Sequence, residues 1–267
     1  MSERNHQENN QVIELLNQDL YGEHDAILYY LTHAWTVARQ YGHQILEIAN
    51  DEMRHFKWLG HTIAQLGGTP NLATPEVSPV ADLTAAMKKD VEAEIHAIDQ
   101  YQRHVEAIPL DPVKALLERI VVDERDHLRQ FQELLNQSHG EPVHSEQPTK
   151  ETAKIAQTLQ QTIHVEYQQM MAYLLKSFME DHKDQMGMDM EERSIDEMRH
   201  LGWIGKRMGL IGLTPKFPDL DTQSIADGEQ TETSLYHEMR TWALQAMPSL
   251  IPTIDRIVAQ EQYHMQT

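Results

Sequence analysis

The sequence predicts an all-α protein made of two four-helix bundles in tandem, with a long crossover between helices two and three of each. Three observations predict it. A segment occurs twice: Asp51 to Pro70 reads DEMRHFKWLGHTIAQLGGTP, and Asp196 to Pro215 reads DEMRHLGWIGKRMGLIGLTP. At a shift of 145, ten of the twenty positions are identical. Apolar residues recur every three or four positions over long stretches, the period of an amphipathic helix. Glycine and proline are few and fall between those stretches, where they stop helices.

The elements follow in order. Leu16, Leu20, Ile27, Tyr30, Leu31 and Ala34 mark a first helix from about Val12 to Gln40. Gly42 marks a short turn, and a second helix ends near Leu66 at Gly67, Gly68 and Pro70. The stretch NLATPEVSPV is extended. About a dozen residues at roughly 3.3 Å each travel the height of a bundle. The third helix runs from near Ala81 to Pro109, and the fourth from about Pro112 to Gln137. Short links make antiparallel pairs, and the long one makes the crossover bundle. The same order returns after a polar, proline-containing linker: helices near Glu151 to His182, Asp189 to Met208 and Thr231 to Met247, then one from Ser249 to the end. The expected domains are residues 1–140 and 151–267, joined by 141–150.

Composition narrows the chemistry. The 267 residues include no cysteine, which excludes disulfides, Fe–S clusters and zinc thiolates. A metal must therefore be held by carboxylate and imidazole, from 42 Asp plus Glu and 16 His. The formal charge of -20 argues against nucleic acid as a partner. There is no apolar run of membrane-spanning length and no signal-peptide pattern, so the expectation is a cytoplasmic protein without a membrane partner.

The duplicated segment carries Glu-x-x-His, a spacing that puts both side chains on one helix face. In the first bundle, helix two offers Glu52 and His55, and helix four offers Glu124 and His127. Helices one and three must each add a carboxylate. Glu23 and Glu94 qualify, because their surroundings resemble each other, with Ala-Ile three and four residues on and Tyr at plus seven. One Glu from each of two helices plus Glu-x-x-His from each of the others is the di-iron or di-manganese pattern of four-helix bundles. Carboxylates bridge and neutralise two cations, and imidazole suits iron. The second bundle offers Glu166, Glu197, His200, Glu261 and His264. Its third helix offers Glu232 or Glu238, and Glu232 is preferred because its face carries Leu235, Tyr236 and Met239.

With these residues in view, the chain resembles bacterioferritin, within the ferritin-like superfamily. LLNQDLYGEHDAILYYLTHA resembles its first helix, DEMRHFKWLG to GGTPNL its second helix and crossover, and DVEAEIHAIDQY and VVDERDHL its third and fourth. The likeness covers residues 10 to 137, and more weakly 150 to 267. It implies di-iron ligands at Glu23, Glu52, His55, Glu94, Glu124 and His127, and a reaction with oxygen or peroxide, most simply the oxidation of Fe(II). A fused pair of bundles is expected to pack as an internal pseudo-dimer, with a homo-oligomer as a further expectation. Rubrerythrin is the second relative considered. Ala97 and Leu235, where it has a further glutamate, and the absence of cysteine argue against it.

Smaller signals complete the reading. Met53 and Met198 stand where bacterioferritin has its haem-ligating methionine; a haem held by both thioethers is one expectation, and plain packing is the other. Tyr30 and Tyr101, with Tyr173 in the second bundle, sit two turns beyond a ligand glutamate. They are expected to hydrogen-bond ligand carboxylates or to donate electrons. His24, His33, His61, His96, His104 and His182 have no paired motif and are read as surface or core residues. A small-molecule oxidase or peroxidase with a manganese or mixed-metal centre is the alternative enzyme. A non-enzymatic metal-binding protein is the third reading.

Overall fold

A computed structural model describes residues 3–37, 40–138, 150–180, 185–220 and 228–264; of residues 3–6, 150–154, 185, 228–233, 246 and 264 it describes the backbone alone. The chain divides into two compact units, Met1–Val143 and His144–Thr267. Most of the expected 141–150 linker lies outside the described residues.

Unit 1 is a four-helix bundle of α1 (Glu3–Thr36), α2 (Gly42–Gln65), α3 (Leu83–Ala107) and α4 (Asp111–Gln137). Helix α1 starts nine residues earlier than its apolar pattern, at Glu3 rather than Val12. The extension ERNHQENNQ offers no apolar stripe, but its Glu, Arg and Gln are good helix formers. The other three helices lie within two residues of expectation at each end that periodicity located.

Each boundary has a local cause. Gly42 is the first residue of α2, and a Cβ there would lie 2.9 Å from the Ala34 carbonyl oxygen, so the hairpin closes tightly. Helix α2 is stopped just beyond its C-cap by Gly67, which adopts φ 85°, while Gly68 N–H donates back to the Ile63 carbonyl at 2.9 Å. This is a glycine-terminated helix stop of the six-to-one type. The Asp82 carboxylate caps α3 by accepting from Ala85 N–H at 2.8 Å. Pro112 opens α4, where a missing N–H costs nothing.

The crossover from α2 to α3 is pinned to α1. The Tyr29 hydroxyl donates to the Glu76 carbonyl at 3.2 Å and accepts from Ser78 N–H at 3.0 Å. Asn71 N–H donates to the Asn17 side-chain oxygen at 2.7 Å. Leu16, Leu20, Ile45, Phe56, Leu117 and Phe131 are fully buried and fill the bundle.

Unit 2 repeats the plan with α5 (Lys150–Met179), α6 (Gln185–Leu210), α7 (Gly228–Ala246) and α8 (Ile251–His264), the last preceded by a short 3-10 turn at Pro248–Leu250. In both units helix one packs on two and three, and helix four on two and three. Helix α6 ends as α2 does: Gly212 has φ 75°, and Leu213 N–H donates to the Met208 carbonyl at 2.9 Å. Met170, Met171, Met208 and Met239 are buried gap-fillers, whereas Met179, Met186 and Met188 are exposed. Among the described residues no helix is long and apolar enough to cross a membrane.

Candidate metal centre

In unit 1 the six proposed ligands come from all four helices and meet in the buried centre of the bundle. Their ligand atoms form two overlapping groups: Glu23, Glu52, His55 and Glu124, and Glu52, Glu94, Glu124 and His127, with the atoms of each group within 4.8 Å of one another. Glu52 and Glu124 belong to both groups. His55 Nδ1 lies 3.0 Å from Glu52 and from Glu124 and 3.5 Å from Glu23. His127 Nδ1 lies 3.0 Å from Glu52. All six residues are at most 4% exposed, so bulk water does not solvate their charges.

Burying four carboxylates together is unfavourable without cations. Burial, with Glu52 and Glu124 beside it, pushes the Glu23 carboxyl well up, and the same causes act on Glu94. Burial and the charge of Glu52 raise Glu124 against His55. Burial also acts to raise Glu52, but His127 and His55 outweigh it and hold this carboxyl below its usual range. Burial lowers the His127 imidazole, yet Glu52 and Glu124 overcome that and lift it to about 9. Glu23 Oε2, Glu52 Oε1, Glu94 Oε2, Glu124 Oε1 and His127 Nδ1 are buried without a hydrogen bond of good geometry. Four carboxylates carry the charge that two divalent cations neutralise, and two imidazole nitrogens complete the donor set, so the residues fit a pair of hard-to-borderline metal ions.

The outer faces of both imidazoles meet carboxylates. His55 Nε2 is 3.3 Å from Asp123, and His127 Nε2 is 3.4 Å from Asp51. Each aspartate directly precedes a glutamate of the cluster in sequence. Such partners fix the ring orientation and raise the basicity of the other nitrogen.

The tyrosines act across the bundle rather than along their own helices. Tyr30 on α1 donates to Glu94 Oε1 on α3 at 2.6 Å, and Tyr101 on α3 donates to Glu23 Oε1 on α1. Two further buried pairs flank them. His33 Nδ1 sits 2.8 Å from Asp90, and His104 Nδ1 sits 2.8 Å from Asp19, whose other partner is the Gln100 amide at 2.8 Å. His33 and His104, expected to be surface or core residues without a paired motif, are core residues, and each has a carboxylate partner on the facing helix. The signal was legible: α1 and α3 both read Asp-x3-Glu-x6-Tyr-x2-His, as Asp19, Glu23, Tyr30, His33 and as Asp90, Glu94, Tyr101, His104. Because the two helices run antiparallel, each half of one motif meets the opposite half of the other. Of the remaining histidines, His24 is buried and His96 exposed, while His182 lies outside the described residues.

Unit 2 assembles a smaller described cluster of Glu166, Glu197 and His200. Glu261 joins them, with His200 Nδ1 3.1 Å from it, 3.2 Å from Glu166 and 3.3 Å from Glu197. Burial lowers His200, but the carboxylates around it raise it to about 12. Tyr236 on α7 donates to Glu166 Oε1, as Tyr101 does to Glu23. Tyr173 is buried, with the Lys176 and Arg193 side chains each 5.9 Å from its ring. Glu238 is exposed and stays outside the cluster. The side chains of Glu232 and His264 lie outside the described residues. Met53 is buried and Met198 half-buried.

Fold and cluster together define the class: a four-helix bundle whose centre is a buried carboxylate and imidazole cage. A family model described as the ferritin-like domain matches residues 13–139. Bacterioferritin of Streptomyces coelicolor is 33% identical over 129 residues, which cover 44% of this chain and 75% of that protein. The chain belongs to the ferritin-like superfamily. Among solved structures, the Desulfovibrio desulfuricans bacterioferritin, described with its diiron site in different catalytic states, is similar at TM-score 0.48 and 23% identity over 51% of this chain and 84% of that one. A ferritin-like, diiron-carboxylate protein of Bacillus anthracis str. Ames is similar at TM-score 0.46 and 29% identity over 51% of this chain and all (100%) of that one.

Proposed function

We propose that the chain binds paired iron ions and oxidises Fe(II) with oxygen or peroxide, and that unit 1 carries a complete site. The observation that supports this most is the overlap of the two ligand groups at Glu52 and Glu124. Two residues shared between two cation positions are what a bridged dinuclear centre requires. The 33% identity to a bacterioferritin supports iron as the metal.

In this reading Glu52 and Glu124 would serve both ions, Glu23 and His55 would help hold one, and Glu94 and His127 the other. Two ferrous ions held there would supply one electron each, enough with two protons to reduce one peroxide to two waters or one oxygen to peroxide. The protein's own part is electrostatic and geometric. Asp123 and Asp51 aim the imidazoles by their outer nitrogens. Tyr101 and Tyr30 each occupy one oxygen of a terminal glutamate, leaving the other oxygen to a metal. The apolar packing around the cage excludes bulk water.

In unit 2 we infer a third-helix carboxylate one turn earlier than the sequence reading preferred. Tyr236 stands where Tyr101 stands, each bonded to the helix-one glutamate of its unit. Seven residues before Tyr101 is Glu94, and seven before Tyr236 is Glu229. In this register Glu232 is the counterpart of Ala97. Replacing Glu229 by Ala should lower metal binding by unit 2 while Glu232→Ala leaves it near wild type, as measured by metal per chain; the opposite order would restore Glu232.

The whole reading is tested by elemental analysis of protein purified without chelator, and of Glu52→Ala beside it. Iron should dominate, and the variant should lose about two ions per chain. Unchanged stoichiometry in Glu52→Ala would refute the bridging assignment. A content dominated by manganese would favour an oxidase or peroxidase instead.

A further inference from the structure

The two units differ at one position that touches a metal-facing histidine. In unit 1 the outer nitrogen of His55 faces a carboxylate, Asp123, at 3.3 Å. In unit 2 the outer nitrogen of His200 faces an amide, Gln260, at 3.3 Å. The positions correspond, since Asp123 precedes Glu124 as Gln260 precedes Glu261. The neighbouring arginines record the change. Arg119, one turn before Asp123, bonds it at 2.5 Å. Its counterpart Arg256, one turn before Gln260, lies instead over the Trp203 ring at 4.3 Å. The Gln260 amide turns its nitrogen to Asp196 at 3.4 Å.

A second layer changes in the same direction. Behind the bond from Tyr101 to Glu23 lies the buried ion pair of Asp19 and His104, with Gln100 on it. Behind the bond from Tyr236 to Glu166 the corresponding residues are Thr162 and Met239, both fully buried, with Leu235 in place of Gln100. Thr162 spends its hydroxyl on the Thr158 carbonyl of its own helix at 3.0 Å. Unit 2 therefore keeps Glu166, Glu197, His200 and Glu261 and, at the described positions, loses two of the buried or half-buried carboxylates that surround their counterparts.

We propose that the two metal centres are unequal, unit 1 binding divalent cations more tightly than unit 2, and that the Asp123/Gln260 position is the main determinant of the difference. This rests on the paired-metal reading above. The physical reason is that a carboxylate behind a ligating imidazole raises its basicity and offsets the charge of the cation, whereas an amide only orients the ring. Removing such a partner costs about 10–100-fold in metal affinity.

The experiment is an anaerobic Co(II) titration of the full chain, read by calorimetry and by cobalt visible absorption. Wild type should show two classes of site separated by about 10–100-fold. Glu52→Ala should delete the tight class, which assigns it to unit 1. Asp123→Asn, which keeps shape and removes charge, should merge the tight class towards the weak one. Gln260→Glu should move the weak class towards the tight one. The reciprocal pair guards against mere damage, since a folding defect lowers affinity and does not raise it. Two indistinguishable classes in wild type, or a tight class unmoved by Asp123→Asn, would overturn the inference and leave the metal reading standing. No cobalt bound at all would overturn both.

Discussion

Tyr101 shows how a single residue is committed by its neighbours. Burial pushes its phenol well up, and the charges of Glu23 and Asp19 add to that, so it stays a donor to Glu23. Asp90, one rung away on the other side of the site, carries the clearest pH consequence. Burial raises its carboxyl, and His33 only partly offsets this. The sign follows from linkage: a folded value above the unfolded 3.8 means stability fully present below that value and lost as pH rises through the folded one. Asp90→Asn removes that titration. Urea denaturation of the metal-free protein should therefore show the variant gaining on wild type as pH rises from below 3.8 through the folded value, and a stability difference independent of pH would count against the assignment. The pairing of Asp90 with His33 was spelled out in the sequence but not read. The repeated motif only becomes meaningful once α1 and α3 are known to be antiparallel neighbours, because each partner lies on the other helix.

At the scale of elements, the helix stops are the same device used twice. Gly67 and Gly212 both hold positive φ at the end of the second helix of their unit, 145 residues apart. A side chain there meets left-handed strain of about 1–2 kcal/mol. Gly67→Ala and Gly212→Ala should each lower unfolding free energy by about that amount, and a loss well under 0.5 kcal/mol in either would show that the stop relaxes. These boundaries were legible, since glycine after an apolar stripe is a strong signal. The start of α1 was not, because ERNHQENNQ forms a helix without an apolar stripe to announce it. Glu232 and Glu238 are separated in the sequence only by the faces they share with neighbours, and periodicity along α7 gives no sign of the contact that Tyr236 makes to Glu166 on another helix.

At the scale of the whole molecule, each unit encloses a cluster whose charges are mismatched without cations, so metal and stability are coupled. A ligand that binds only the folded state stabilises it by about 2.7 kcal/mol at a hundred times its dissociation constant. Chelation should therefore lower the thermal midpoint of wild type, and restoring divalent metal should raise it again. Glu52→Ala separates the two contributions. The substitution removes the carboxylate that both imidazoles of unit 1 contact, so the variant forfeits the metal response of that unit. What remains on adding metal is the response of the Glu166, Glu197, His200 and Glu261 cluster alone. Scanning calorimetry of both proteins with and without metal reads this directly. A smaller but nonzero metal-induced shift in Glu52→Ala is the expected result. A shift equal to that of wild type would mean that the buried carboxylates of unit 1 are held by protons and imidazoles alone, and that its cage is not where metal meets stability.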